Sequence, residues 1–215
     1  MNTGDTAFMM ICAALVFFMT PGLAFFYGGL VRRKNVCNTI MACVAIMGLS
    51  VVMWTLFGYS LSFGGNHAGI IGDFRWFGLN GVGMEAGPYA DSIPHLVFCA
   101  FQMMFAMITP ALITGSLVGR MKFKALFLFV AIWSVIVYYP MAHMVWGDGG
   151  FLAAIGSVDF AGGDVVHISS GISALVLAII LGRRRGYEHT TYRIHNIPSV
   201  VLGASLVWMV WIQCR

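Results

Sequence analysis

The sequence predicts an all-α membrane protein, a polytopic bundle of five transmembrane helices followed by the start of a sixth, and three observations carry that prediction. Hydrophobic residues fill 60% of the 215 positions and charged residues only 9%, far below the roughly 25% charge of soluble domains. Five mainly apolar runs reach the length of about 18 residues or more that a helix needs to cross the hydrocarbon core. They are Thr6 to Leu30, Asn38 to Phe63, Pro94 to Gly119, Phe123 to Val145 and Asp164 to Gly182, and a sixth begins at Pro198. The charges between the runs also alternate in sign.

Arg32, Arg33 and Lys34 follow the first run, Arg120, Lys122 and Lys124 the third, and Arg183, Arg184, Arg185 and Arg193 the fifth. The two intervening connections hold Asp73, Arg75, Glu85 and Asp91, then Asp148 and Asp159. Basic loops mark the cytoplasmic side, which predicts a multi-pass protein of the plasma membrane with its N-terminus outside. The net charge of +4 follows from this topology. A nucleic-acid partner is not expected, because such a footprint gathers its basic residues on one face. The first run lacks a basic start and a small-residue cleavage site and leads straight into Arg32, so it reads as a retained helix with no cleaved signal. Cys12, Cys37, Cys43 and Cys99 lie in or beside helices without C-x-x-C spacing and read as packing residues. An odd number of crossings means that a duplicated copy of the unit would be inverted, the arrangement that places transporter pathways at a repeat interface. No second copy lies within the 215 residues, so the chain reads as one half of a pathway.

The chemistry concentrates in M-A-H-M-V-W-G-D-G-G…V-D-F-A-G-G-D-V-V-H, between the fourth and fifth runs. An ionisable side chain costs roughly 2.5 kcal/mol or more at the bilayer centre, so such residues are functional candidates by default. Trp146 ends the fourth helix, where an indole serves as an interfacial anchor or as a cation platform worth about 0.5 to 2 kcal/mol. Phe101 and Phe105 lie four apart on one face of the third helix, Phe105 roughly 16 Å inward from Pro94; ordinary packing would explain both, as it does Met103, Met104 and Met107. Asp164 opens the fifth helix and reads as its cap or as a first-turn acid. Asp159 has no such local partner and is expected to concentrate cations or to shape a vestibule. His167 lies a turn into the fifth helix, and its neutral imidazole offers one donor and one acceptor. His143 near the outer end of the fourth helix opens another reading, a membrane electron-transfer protein with His143 and His167 as axial haem ligands; a non-transporting interaction subunit is a third. His67, His189 and His195 fall in loops. No metal site, cofactor or enzymatic activity is expected, since H-E-x-x-H, G-x-S-x-G, Walker and dinucleotide motifs are all lacking. The patches G-G-N and G-D-G-G read as turns.

At these residues the sequence resembles the ammonium transporter family, the Amt/Mep/Rh group. The segments that carry the resemblance are M-T-P-G-L-A-F-F-Y-G-G-L-V-R-R-K-N at 19 to 35, A-F-Q-M-M-F-A-M-I-T at 100 to 109, A-H-M-V-W-G at 142 to 147, D-F-A-G-G-D-V-V-H at 159 to 167 and H-N-I-P at 195 to 198. The resemblance implies eleven helices in two inverted five-helix halves, a homotrimer with one pore per subunit, and a trimeric PII-type regulator on the cytoplasmic face, although the C-terminal tail it uses is not in this chain. It makes Trp146 part of an outer ammonium recruitment site, Phe105 one of two stacked rings closing the pore below, Asp159 an acid needed for transport, and His167 the first of two pore histidines. The second pore Phe, a recruitment-site Ser and the second His belong to the family's other half. Carrying an intact ammonium ion through an apolar pore would cost tens of kcal/mol in lost hydration, against about 2 from an indole face. The expected mechanism therefore gathers the ion at Trp146, removes a proton near Asp159 and Phe105, and passes neutral ammonia by His167, with methylammonium as an analogue.

The ending S-L-V-W-M-V-W-I-Q-C-R departs from the family. Trp and Met have single codons, so reading Trp208 to Ile212 one base later forces Gly, Trp, an open codon and Gly, and permitted codons extend this to L-W-F-G-W-F-G-F-N-A-G, the family's sixth-helix motif. Residues 1 to 204 are thus expected to form the first repeat and the start of helix six, with 205 to 215 an out-of-frame tail after a one-base shift near Ala204 or Ser205. Such a chain is expected to be inactive alone.

Overall fold

The computed structural model describes residues 1–184 and 193–213; Arg185, His189, Cys214 and Arg215 lie outside the described residues. The first helix, α1 (Thr3–Leu30), starts three residues before the expected Thr6 because the Asn2 carboxamide oxygen accepts from Gly4 N at 2.8 Å and caps it. Pro21 lies inside α1 without ending it. The second helix, α2, runs through Val36–Met53, a wide turn Trp54–Gly58 and Tyr59–Phe63. Helix α3 is His95–Leu117. Helix α4 comprises Phe123–Trp133, a wide turn Ser134–Tyr138 and Tyr139–Trp146. Helix α5 opens with the wide turn Gly163–Ile168 and continues through Ser169–Leu181; α6 is Ile197–Gln213. Five of these helices are long and apolar enough to cross a membrane. The fold is therefore the expected all-α membrane bundle, with α6 as the start of the next element.

Between apolar helices in lipid, close packing and hydrogen bonds replace the hydrophobic drive, and the chain uses both. Tyr27 OH donates to Leu112 O at 3.0 Å, joining α1 to α3. Trp54 Nε1 donates to Cys99 O at 3.2 Å, joining α2 to α3, and Trp133 Nε1 donates to Ser173 Oγ at 2.8 Å, joining α4 to α5. The wide turns of α2 and α4 meet where Gly58 faces the Tyr139 ring, so closely that a Cβ on Gly58 would lie 2.6 Å from it. At the end of the bundle where α3 and α5 finish, Arg120 donates Nη1 to Gly182 O at 2.8 Å and Nη2 to Ser116 O, satisfying one carbonyl that the end of α5 leaves unpaired and one that the end of α3 does. Helices α1 and α6 approach closely at glycines: a Cβ on Gly203 would lie 2.4 Å from both Gly22 O and Phe26 N.

The connection from α2 to α3, expected only as a loop, contains two small antiparallel pairs, β1 (Asn66–His67) with β2 (Ile71–Gly72) and β3 (Ala86–Gly87) with β4 (Ala90–Pro94). Three strands of two residues and one of five leave too little alternation to read from a sequence. The connection is tied to the helices by Tyr89, whose hydroxyl donates to Phe63 O at 2.9 Å and accepts from Asp148 N at 3.1 Å. Asp73 organises its near end, accepting from Gly65 N at 2.9 Å and Arg75 N at 3.0 Å and pairing with Arg75 Nε at 3.1 Å. Burial pushes the Asp73 carboxyl up, but these hydrogen bonds and the Arg75 charge outweigh it and hold the group below its ordinary 3.8. A depressed folded value means the contribution is fully present above pH 3.8 and lost as pH falls through the folded value. Amide hydrogen exchange at Gly65 and Arg75 is thus expected to accelerate selectively below about pH 4, and protection unchanged down to pH 2 would contradict it.

Candidate functional site

A cleft of about 640 Å³ runs along α3 and is lined on its other sides by α1, Phe63 at the end of α2, Tyr89, the end of α4, the start of α5 and α6. Phe101, Phe105, Trp146, Asp159 and His167 all line it, together with Trp211 of α6. The five residues selected from sequence, drawn from three helices and a loop, are therefore brought together.

The helical repeat of α3 sets the upper wall. Phe101 and Phe105 are one turn apart on the same face, with ring centroids 5.1 Å apart and planes at 86°. Phe105 in turn stands edge-on to Trp146, 6.0 Å away at 63°. Trp146 is the last residue of α4, and its Nε1 donates to the Asp159 carbonyl at 3.0 Å. That bond fixes the indole plane and leaves a face of the ring for the cleft.

The Asp159 side chain differs from expectation. Its Oδ1 accepts from Gly162 N at 2.6 Å and Gly163 N at 2.8 Å, and its Oδ2 from Asp164 N at 2.8 Å and Val165 N at 3.0 Å. It therefore satisfies the N–H groups that the start of a helix leaves without partners. The left-handed backbone at Gly162 (φ +88°) folds the loop back so that a residue several positions upstream sits under the first turn, a placement linear spacing does not reveal. The role of cap thus passes from Asp164 to Asp159, while Asp164 remains a first-turn acid, its Oδ2 accepting from Ser157 Oγ at 2.6 Å. Asp159 acts with both its carbonyl and its carboxylate, coupling the indole of α4 to the opening turn of α5.

His167 lies in that opening turn, whose bonds include His167 N to Gly162 O at 2.9 Å. Turns of this wide type recur at functional sites. The imidazole is exposed on the cleft wall and faces Trp211 at 6.3 Å and 61°. Trp211 was missed in the sequence because it falls in the stretch read as out of frame; α6 is nevertheless continuous from Ile197 to Gln213. His143 does not join this group. It is fully buried, with Nδ1 3.0 Å from Ser62 O and Nε2 3.3 Å from Asn66 Oδ1. Both ring nitrogens face protein oxygens, which leaves no open position for iron and removes the basis for pairing His143 with His167 as haem ligands. Among the described residues no group of three or more His, Cys, Asp or Glu is placed to hold a metal.

The cleft thus presents aromatic faces, one exposed imidazole and a carboxylate whose oxygens are occupied by backbone. Aromatic faces of this kind attract small cations without replacing their hydration.

A model of the Ammonium Transporter Family matches residues 7–213. The chain is 49% identical over 211 residues to the ammonium transporter of Bacillus subtilis, a match covering 98% of this chain and 51% of that protein. Among solved structures it is similar to Mep2 of Saccharomyces cerevisiae, with a TM-score of 0.85 at 34% identity over 97% of this chain and 48% of that one. Mep2 of Candida albicans gives a TM-score of 0.85 at 30% identity, covering 100% and 48%. The chain spans about half the length of the relatives it matches. From the helix bundle, the aromatic cleft and these matches together, the chain belongs to the ammonium transporter family.

Proposed function

We propose that this chain forms the outer mouth and the first histidine of a path that moves ammonium across the plasma membrane, with its N-terminus outside. The observation that carries the reading is the single cleft in which Trp146 and Phe105 present aromatic faces and His167 lies on the wall. In this reading ammonium is gathered against Trp146 and Phe105 by cation–π attraction of about 0.5 to 2 kcal/mol. It gives up a proton there, and ammonia passes His167, whose neutral ring can donate and accept in turn. Asp159, with its carboxylate occupied, contributes its negative charge and the alignment of Trp146 and α5 rather than a free acceptor for the proton. The whole transporter is proposed to act as a homotrimer that also takes methylammonium and answers to a PII-type cytoplasmic regulator. The out-of-frame reading of 205–215 stands on codon arithmetic; nucleotide sequence beyond Arg215 with no second half in the shifted frame would end it.

The test joins residues 1–204 to the remaining half of the Bacillus subtilis relative and measures methylammonium uptake in a transporter-deficient host. The chimera is expected to restore uptake, and the 215-residue chain alone to give none. In the chimera, Trp146→Leu is expected to raise the half-saturating concentration about 2- to 30-fold, the equivalent of the cation–π term. His167→Ala is expected to change the transport current. Uptake and current unaffected by both substitutions would overturn the proposal.

A further inference from the structure

Apart from the exposed ring of His167, the polar side chains described around the cleft are engaged, with one exception. The Trp146 N–H and the Asp159 carboxylate are engaged as described, and the Tyr89 hydroxyl both donates and accepts. Gln102 also lines the cleft, yet its side-chain oxygen is buried with no hydrogen-bond partner. On α3 it lies three residues before Phe105 and four after Phe98, so the three share one helix face, and all three line the cleft. A buried carbonyl oxygen without a donor is uncommon and calls for an explanation. The last torsion of a glutamine is broad and two-fold, so a carboxamide that is not held through its oxygen can turn to present that oxygen to the cleft.

Resting on the function proposed above, we propose that Gln102 is a selectivity and positioning residue for the protonated substrate, its carboxamide oxygen accepting an N–H from ammonium held against Phe105 and Trp146. Cation–π attraction alone does not distinguish cations by their hydrogen-bond donors. An oxygen acceptor beside the rings does: ammonium and methylammonium carry N–H groups, whereas tetramethylammonium and sodium carry none. The carboxamide is neutral, so it adds this discrimination without trapping the cation as a free carboxylate would.

Glutamine occurs only at positions 102 and 213, which makes a direct experiment simple. The chain is placed in lipid nanodiscs with ¹³C-labelled glutamine carboxamides and ¹⁵N-labelled tryptophan, the Trp146 indole signal being assigned with Trp146→Phe. It is then titrated separately with ammonium, methylammonium and tetramethylammonium. The Gln102 carbonyl signal is expected to shift with the first two, at the same midpoint as the Trp146 signal, and not to move with tetramethylammonium. Gln102→Leu is expected to raise the ammonium midpoint at Trp146 about tenfold, and Gln102→Glu, which keeps an acceptor, is expected not to raise it. A Trp146 response to ammonium with an unmoved Gln102 carbonyl, or an unchanged midpoint in the Leu variant, overturns the role of Gln102 and leaves the outer site standing. If Trp146 itself fails to respond to ammonium, the proposed function falls and this role with it. Should Gln102→Leu lose its helical circular dichroism, the carbonyl shift in the parent chain decides alone.

Discussion

Asp159→Ala is expected to destabilise the end of the bundle where α5 begins by roughly 2 to 4 kcal/mol, the largest loss for any single side chain around the cleft. One carboxylate accepts four backbone N–H groups at the start of α5, and hydrogen bonds to a charged acceptor exceed those of an ordinary cap. Asp159→Asn keeps one acceptor oxygen and loses the charge that complements the helix dipole, so about half of that loss is expected. The effect would reach further than stability, because the same residue accepts from the Trp146 indole and the same turn carries His167. Hydrogen exchange at the amides of residues 162–165 reads the change directly. Protection retained in Asp159→Ala would show that the carboxylate does not hold this turn.

Gly203→Leu is expected to be nearly as damaging, about 3 kcal/mol, for a different reason. A Cβ at Gly203 would meet the α1 backbone at 2.4 Å, and backbone cannot yield as a flexible side chain does. Helices α1 and α6 would have to separate, displacing the cleft residues Val207, Val210 and Trp211. Gly48→Ala makes the contrast, since a Cβ there meets nothing within 4 Å and alanine favours a helix by about 1 kcal/mol. Thermal stability in detergent is expected to collapse for the first variant and to hold or rise for the second. Equal behaviour of the two would refute the close packing of α1 on α6.

What could be read from the sequence was what depends on composition and on short spacings. The five apolar runs and the sign of the loops between them specify the bundle, because the length of a crossing helix is set by the bilayer. Phe101 and Phe105 could be assigned to one face because a helical turn is local. Asp159 could not be understood in this way: its partners are 3 to 6 residues ahead, and only the left-handed turn at Gly162 brings them under its carboxylate. His143 was likewise ambiguous until Ser62 and Asn66, some 80 positions away, were found against its ring. Gln102 was visible in F-Q-M-M-F but carried no signal, since nothing in a sequence tells whether a buried amide oxygen has a donor.

Equilibrium binding of ammonium to the chain in lipid nanodiscs, compared between the parent and Trp146→Leu, tests the central claim most directly. The account predicts saturable binding in the parent, resistant to competition by sodium, with a half-saturating concentration about 2- to 30-fold higher once the indole is gone. Binding that is absent from the parent, or identical in the two proteins, would contradict it.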